Sequence, residues 1–151
     1  MSNEIGSSGD FAPGQPQFRS AVAVFVGAAV GNGLAYAVLF TAGLVFLWYL
    51  VATGVPGNEV HAKAHQSTGY LLFAHILAFA CLLPGGYWTA RLSAKSSLRN
   101  AAFAGLIVCT LTFLAYLVPY DLPAPWWSRL VGILAPLPAF VLGAALYKRA
   151  A

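Results

Sequence analysis

Four apolar blocks, separated by short polar stretches, make up nearly all of this 151-residue chain. They run from about residue 18 to 52, 67 to 90, 98 to 118 and 126 to 147. A membrane-spanning helix needs about 20 mainly apolar residues, so each block predicts one span. Only 8% of the residues are charged, whereas a soluble domain carries about 25%. The sequence therefore predicts an all-α integral membrane protein, with a single four-helix bundle over residues 18–149.

The segment before the first block is polar and rich in glycine, serine and proline. It lacks the basic region and the small-residue cleavage site of a signal peptide. We expect residues 1–17 to form a disordered tail and the first helix to stay uncleaved.

The distribution of basic residues predicts the orientation of the bundle. Six of the eight lie beside the first span, between the second and third spans, or at the carboxyl end: Arg19, Arg91, Lys95, Arg99, Lys148 and Arg149. Because cytoplasmic flanks are enriched in Lys and Arg, both termini are predicted to be cytoplasmic, in a multi-pass protein of a bacterial inner (plasma) membrane. We expect Arg91, Lys95 and Arg99 to reach lipid phosphates at this interface.

Small residues recur at steps of four in the first and fourth spans and form an adjacent pair in the second. They are Ala23, Gly27, Gly31 and Ala35 in the first, Gly85 and Gly86 in the second, and Ala135, Ala139 and Gly143 in the fourth. Membrane helices associate through close backbone approach and polar contacts, so these positions predict helix-packing faces. A homodimer seam and packing within the monomer are both open interpretations, and the second is preferred.

Proline residues lie inside two of the spans. Pro84 precedes the glycine pair of the second span, and Pro136 and Pro138 lie within the fourth. Each removes a backbone donor and predicts a kink. We interpret the kinks as packing features, although such kinks also line some transport paths.

One ionisable side chain, His75, lies well inside a span. Such a residue is a functional hypothesis by default, and a proton relay, haem or metal role would use it. Counting at 1.5 Å per residue puts Asn32 and His75 at depths that differ by only about 5 Å. We predict a hydrogen bond between Asn32 and His75 that links the first two spans, and a structural role for this polar pair is the preferred interpretation.

The first loop contains the candidate metal ligands of the chain. His61 and His65 are four residues apart, so they would lie one turn apart if the second helix began early. An i, i+4 pair of imidazoles is a known zinc geometry, and Glu59 offers an oxygen ligand. A polar helix entry is the preferred interpretation, and we expect no metal and no cofactor.

The end of the second span reads Gly85-Gly86-Tyr87-Trp88-Thr89-Ala90-Arg91, and a small-residue stretch from Asn100 to Leu106 opens the next. This hairpin resembles small bacterial four-helix membrane proteins of unknown function, in which Gly-Gly-x-x-Ala-Ala-Arg closes a helix. Here Thr89 stands in place of the first Ala. The resemblance implies the four-span fold and a tight hairpin, and no activity.

No catalytic or nucleotide-binding motif accompanies these features, so an enzyme is not expected. The net charge of +4 is scattered, which argues against a nucleic-acid partner. The leading hypothesis is a non-enzymatic accessory or assembly subunit that contacts itself or a larger membrane complex. One alternative is an oligomeric solute or ion transporter, in which a dimer would line a path with Asn32, His75, Thr110 and Thr112. The other is a metal- or redox-linked enzyme subunit.

Overall fold

The computed structural model describes residues 15–93, 97–118 and 124–150. Its helices are α1 (Gln15–Ala52), α2 (Val60–Gln66), α3 (Thr68–Leu92), α4 (Ser97–Leu117), α5 (Trp126–Leu134) and α6 (Pro136–Ala150). No strand occurs in these three segments. Four stretches are long and apolar enough to cross a membrane: Phe18–Ala52, Thr68–Leu92, Ser97–Leu117 and Trp126–Arg149. The predicted all-α, four-span architecture is confirmed, and the side on which the termini lie stays a prediction.

The first helix begins earlier and runs farther than a single crossing requires. It starts at Gln15, so residues 15–17 are helical where a disordered tail was predicted, and the rest of that tail lies outside the described residues. Its 38 residues extend over about 57 Å, against a hydrocarbon core of about 30 Å. The helix ends at Ala52, and Gly54, with φ 88°, reverses the chain.

A break at Ser67 separates the short helix α2 from the second span. Ser67 has an extended backbone (φ −73°, ψ 104°), and its hydroxyl accepts a hydrogen bond from the backbone N–H of Tyr70 at 3.3 Å. This is the usual way in which a serine caps a helix. Because α3 begins only after this cap, His61 and His65 lie on a separate helix rather than on an early start of the span.

A second break, at Ala135, divides the fourth span into α5 and α6. Pro136 and Pro138 have no N–H, so the carbonyls of Gly132 and Leu134 lack the helical donor that would lie four residues ahead. The effect of these prolines is therefore an interruption of the helical hydrogen bonding at Ala135, whose backbone keeps helical angles (φ −61°, ψ −31°).

The first span packs on the second through glycines. A Cβ atom at Gly27 would overlap the Thr89 side chain and lie 2.8 Å from the Gly85 carbonyl oxygen. One at Gly31 would lie 2.9 Å from the Phe140 ring and 3.1 Å from the Gly85 Cα. Ala23 and Ala35, the outer members of the predicted ridge, are buried as well. This ridge therefore faces other helices of the same chain.

Helix α6 closes the same half of the bundle. A Cβ at Gly86 would overlap the Phe140 carbonyl oxygen, and one at Gly143 would overlap the carbonyl oxygen of Leu83. Phe140 and Ala139 are fully buried, and Ala135 is half-buried at the break. Close backbone approach thus joins α1 to α3 and α3 to α6, and the Phe140 ring of α6 reaches α1 at Gly31.

Hydrogen bonds tie the ends of α3 and α4 together. The buried Asn100 donates from Nδ2 to the Ser93 hydroxyl at 3.0 Å, and that hydroxyl donates to the Thr89 carbonyl at 2.7 Å. The Thr89 hydroxyl in turn donates to the Gly85 carbonyl at 2.8 Å. These bonds satisfy polar groups at the hairpin on which the family resemblance rests.

Candidate functional site

The other half of the bundle encloses a cavity of about 340 Å³. All four spans contribute to its wall, together with His65 at the end of α2. Eight lining residues carry hydrogen-bonding side chains: Asn32, Tyr36, His65, Tyr70, His75, Thr112, Tyr116 and Ser128. In a hydrocarbon solvent such groups are costly unless they face one another or a ligand, so their concentration in one place marks the cavity as the candidate site.

The cavity reaches from the first-loop end of the bundle to about its middle. Its lining follows α3 from Tyr70 to Leu82, a distance of about 18 Å at 1.5 Å per residue. It follows α4 from Tyr116 to Val108, a distance of about 12 Å. Beyond this depth lies the close-packed layer around Phe140, which is fully buried. The cavity thus occupies about half of a bilayer core of about 30 Å.

Polar side chains from three helices converge beside the cavity wall. His75 Nε2 lies 2.8 Å from the Ser128 hydroxyl, and Ser128 is only 4% exposed. The Trp127 ring meets the imidazole edge-on, with centroids 5.9 Å apart. Gly132 lies between the groups, because a Cβ there would be 3.1 Å from the Tyr116 hydroxyl and 3.7 Å from His75 Cε1. The missing side chain of Gly132 leaves room around the imidazole and the phenol.

The structure corrects the predicted Asn32–His75 hydrogen bond. Both residues line the cavity, but the prediction of equal depth was wrong, because Gly31 packs on Gly85 and Phe46 on Tyr70, so that Asn32 lies deeper in the bundle than His75. The hydrogen bond of His75, however, is made with Ser128 on α5. None of the side-chain hydrogen bonds among the described residues involves Asn32. The two spans pack in a register that residue counting did not anticipate, and the Ser128 hydroxyl of α5 takes the place that was predicted for Asn32.

His65 and Tyr70 lie at the first-loop end of the cavity. The Tyr70 ring stacks on Phe46 of α1, with centroids 4.3 Å apart and planes at 10°. Burial lowers the pKa of His65, and the neighbouring His61 lowers it further. An imidazole with a lowered pKa is neutral near pH 7. No carboxylate, ammonium or guanidinium group belongs to the described lining, so the cavity is polar without a fixed charge.

The candidate metal ligands are only partly brought together. His61 and His65 share the short helix α2, but His61 is exposed while His65 lines the cavity. The Glu59 carboxylate lies 3.6 Å from Lys63 Nζ. Within the described segments no three His, Cys, Asp or Glu side chains form a cluster. Two imidazoles alone leave a tetrahedral zinc site incomplete.

The remaining predicted positions lie elsewhere. The Arg91 guanidinium is stacked over the Trp88 ring, 4.9 Å from its centroid, Arg99 is exposed, and Lys95 lies outside the described residues. Thr112 lines the cavity, whereas Thr110 lines a shallow groove on the outer face of α4. Asn32, His75 and Thr112 thus line a cavity inside one chain, and a path between two subunits stays a prediction.

Sequence reasoning missed Ser128 and the three tyrosines of the wall. The signal that reveals them is a stripe with a period of four: Val108, Thr112 and Tyr116 on α4, and Ser128, Gly132 and Pro136 across the fourth span. Residues four apart share a helix face. Two stripes that become polar or small toward the same end of the bundle predict a shared cavity there.

Comparison with known protein families, with characterised proteins and with solved structures finds no match. The resemblance of the hairpin to small four-helix membrane proteins therefore stays an expectation. Function has to be argued from the cavity and its residues.

Proposed function

We propose that this protein binds a small uncharged molecule inside its bundle. The observation that carries the proposal is the cavity of about 340 Å³, whose wall combines hydrogen-bonding side chains from all four spans with no charged group. Small-molecule sites are concave and mainly apolar, with a few convergent polar groups. The lining matches this description, since leucines and alanines separate the polar residues.

The absence of charged groups from the described lining indicates the class of ligand that the cavity can bind. Transfer of an ion into an apolar interior without a partner of opposite charge is strongly unfavourable. The lining offers hydroxyl, amide and neutral imidazole groups instead. A molecule with carbonyl or hydroxyl oxygens would satisfy these groups, whereas an ion would find no group of opposite charge in the described lining, since Arg129, which lies near Tyr116, is not part of it.

We propose a non-enzymatic role, although the His75–Ser128 pair invites comparison with nucleophilic catalysis. In that chemistry a third group, usually a carboxylate, orients the histidine. Here the ring of Trp127 lies beside the imidazole, and the described lining contains no carboxylate. The pair is better explained as a polar link between α3 and α5.

Transport is the second candidate, favoured by the one-sided shape of the cavity. A cavity open toward one end and closed by a packed layer at the other is the shape of one state of a carrier. Release at the opposite end would require the glycine-packed helices to separate. Flux of a bound solute into proteoliposomes, lost in a His75→Phe variant, would identify this case.

The accessory or assembly role is a third candidate, and it depends on a different surface. The small-residue ridge of α1 packs against the same chain, so it does not offer a free seam. The opposite face of α1 is exposed and aromatic, with Phe25, Phe40 and Trp48 between 66% and 76% exposed. Extraction in mild detergent followed by a pull-down would recover a partner if that face contacts one, and only monomer if it contacts lipid.

The test of the leading proposal is saturable ligand binding that depends on cavity volume. A panel of neutral and charged small solutes is added to the purified protein in nanodiscs, and thermal stability is followed. A ligand that binds the folded state at 100 times its Kd stabilises it by about 2.7 kcal/mol. Neutral solutes should produce such a shift and charged solutes of equal size should not.

Two alanines of α3 provide a matched pair of variants. Ala78 lines the cavity, whereas Ala80, two residues along the helix, is exposed on the outer face. Ala78→Phe should fill the cavity and abolish the shift, and Ala80→Phe should retain it. Equal responses in the two variants, or no response of the native protein to any neutral solute, would remove the proposal.

A further inference from the structure

The wall of the cavity identifies a chemical class within the neutral ligands. We propose that it holds the head group of a quinone or quinol, a flat ring that carries oxygen atoms on opposite sides. This inference rests on the proposed binding function. It concerns binding alone, and it follows from three features: the placement of donors, the aromatic wall, and an opening toward the lipid.

Hydrogen-bonding groups lie at different depths of the cavity. His75 uses Nε2 with Ser128, and no hydrogen bond among the described residues uses its Nδ1. A neutral imidazole with a proton on Nδ1 can accept from Ser128 and donate to a ligand. Asn32 lies on α1 in the deeper part of the lining, beside the packed layer at Gly31. Donors therefore occur along the depth of the cavity, and the Tyr116 hydroxyl lies near His75, because a Cβ at Gly132 would contact both groups.

The wall beside these donors suits a flat ring. Tyr36, Tyr70 and Tyr116 contribute aromatic surface, and Leu82 and Val108 line the deeper part. Aromatic rings associate in offset-stacked or edge-to-face arrangements worth about 0.5–1.5 kcal/mol beyond burial. A ring system with small substituents matches a cavity near the lower end of the about 300–1,000 Å³ range of ligand sites.

The same wall opens sideways between α1 and α4. Tyr36 is 62% exposed and Tyr116 is 40% exposed, although both line the cavity. Tyr36 also lies near Tyr116. Within the predicted membrane span, such exposure is to hydrocarbon. A ring can therefore enter from the bilayer, and a long apolar tail, for which the cavity has no room, can stay in the lipid.

The experiment compares ligands that differ only in their oxygens. Menadione is a methylated naphthoquinone, and methylnaphthalene has the same ring system without the carbonyls. Binding of each to the full-length protein in nanodiscs is measured by equilibrium dialysis against empty nanodiscs, which corrects for partition into lipid. We expect saturable binding of menadione, at least about tenfold weaker binding of methylnaphthalene, and none of a naphthoquinone sulfonate.

Shape-preserving variants test the residues. Tyr116→Phe and Thr112→Val each remove one hydroxyl from the wall, and each should weaken menadione binding by about three- to tenfold. Tyr87→Phe and Thr110→Val are the controls, because these residues lie outside the cavity lining. Asn32→Leu should cause the largest loss. If it fails to fold, the tyrosine and threonine variants decide the matter.

The outcomes separate this inference from the function on which it rests. If methylnaphthalene binds as tightly as menadione and Ala78→Phe blocks both, the cavity binds neutral rings and the quinone assignment is wrong. The assignment is also wrong if menadione fails while another neutral solute binds. If no neutral ligand binds, both proposals fall.

Discussion

Replacement of Gly86 by alanine tests the packing of α3 against α6 in the half of the bundle opposite the cavity. A Cβ at this position would overlap the carbonyl oxygen of Phe140 and lie 2.7 Å from its carbonyl carbon and its Cα. All three are backbone atoms, so no rotamer change can relieve the contact. Helices α3 and α6 must move apart, and the fully buried Phe140 side chain moves with them.

The magnitude follows from two opposing terms. Overpacking of a well-packed core typically costs about 1–3 kcal/mol, and relief through helix separation places Gly86→Ala at the upper end. Replacement of a helical glycine by alanine contributes about 0.5–1 kcal/mol in the other direction. The net loss should be about 2 kcal/mol. Gly33→Ala on α1, where a Cβ meets nothing within 4 Å, should gain about 0.5–1 kcal/mol.

The assay is reversible unfolding of both variants in mixed lipid–detergent micelles, with helix content followed as denaturing detergent is added. Because both substitutions are Gly→Ala within a helix, their difference of about 3 kcal/mol reports packing alone. If Gly86→Ala unfolds at the same detergent fraction as the native protein, or if Gly33→Ala is equally damaging, the assignment of α3 and α6 as direct neighbours is refuted.

Three further predictions concern topology, the polar link and pH. In a cysteine-free background, Asn58→Cys should react with an impermeant maleimide on intact cells, whereas Lys148→Cys should react only after the cells are permeabilised. The reverse pattern would contradict the predicted orientation. A double-mutant cycle with His75→Phe and Ser128→Ala should give a coupling of about 0.6–1.7 kcal/mol, and additive losses would show that the bond contributes nothing. The pKa of His65 is lowered from 6.5 in the folded state, so the unfolded chain binds more protons than the folded chain as pH falls below 6.5. The free energy of unfolding should therefore decline as pH falls through 6.5. His65→Gln should flatten this decline.

The four spans could be predicted closely because each depends on local composition. The predicted blocks and the membrane-length helices agree within two residues at each end, as in residues 98–118 against Ser97–Leu117. The glycine ridge could also be predicted from the sequence, since Gly27 and Gly31 lie one turn apart on one face of the helix. What the ridge contacts could not be read from spacing. Gly85, Thr89 and Phe140, its partners, come from two other spans.

Only some residues of the candidate site could be predicted from the sequence. His75 and Asn32 stood out because polar residues are rare in an apolar block. Ser128 did not, since a serine near the start of a span is ordinary. Tyr70 and Tyr116 lie near span ends, where aromatic residues are common, and Tyr36 is one of many aromatic residues in an apolar chain. Their common role depends on the angle at which each helix presents its face.

Sequence alone determined that the chain forms four helices long and apolar enough to cross a membrane, because the cost of exposing backbone and charge to lipid acts on every residue locally. Only the tertiary structure decided that one half of the bundle closes on glycine while the other opens into a polar cavity. Helix rotation sets that difference. The rotation of each helix about its own axis is determined by contacts between residues far apart in the chain, such as His75 with Ser128.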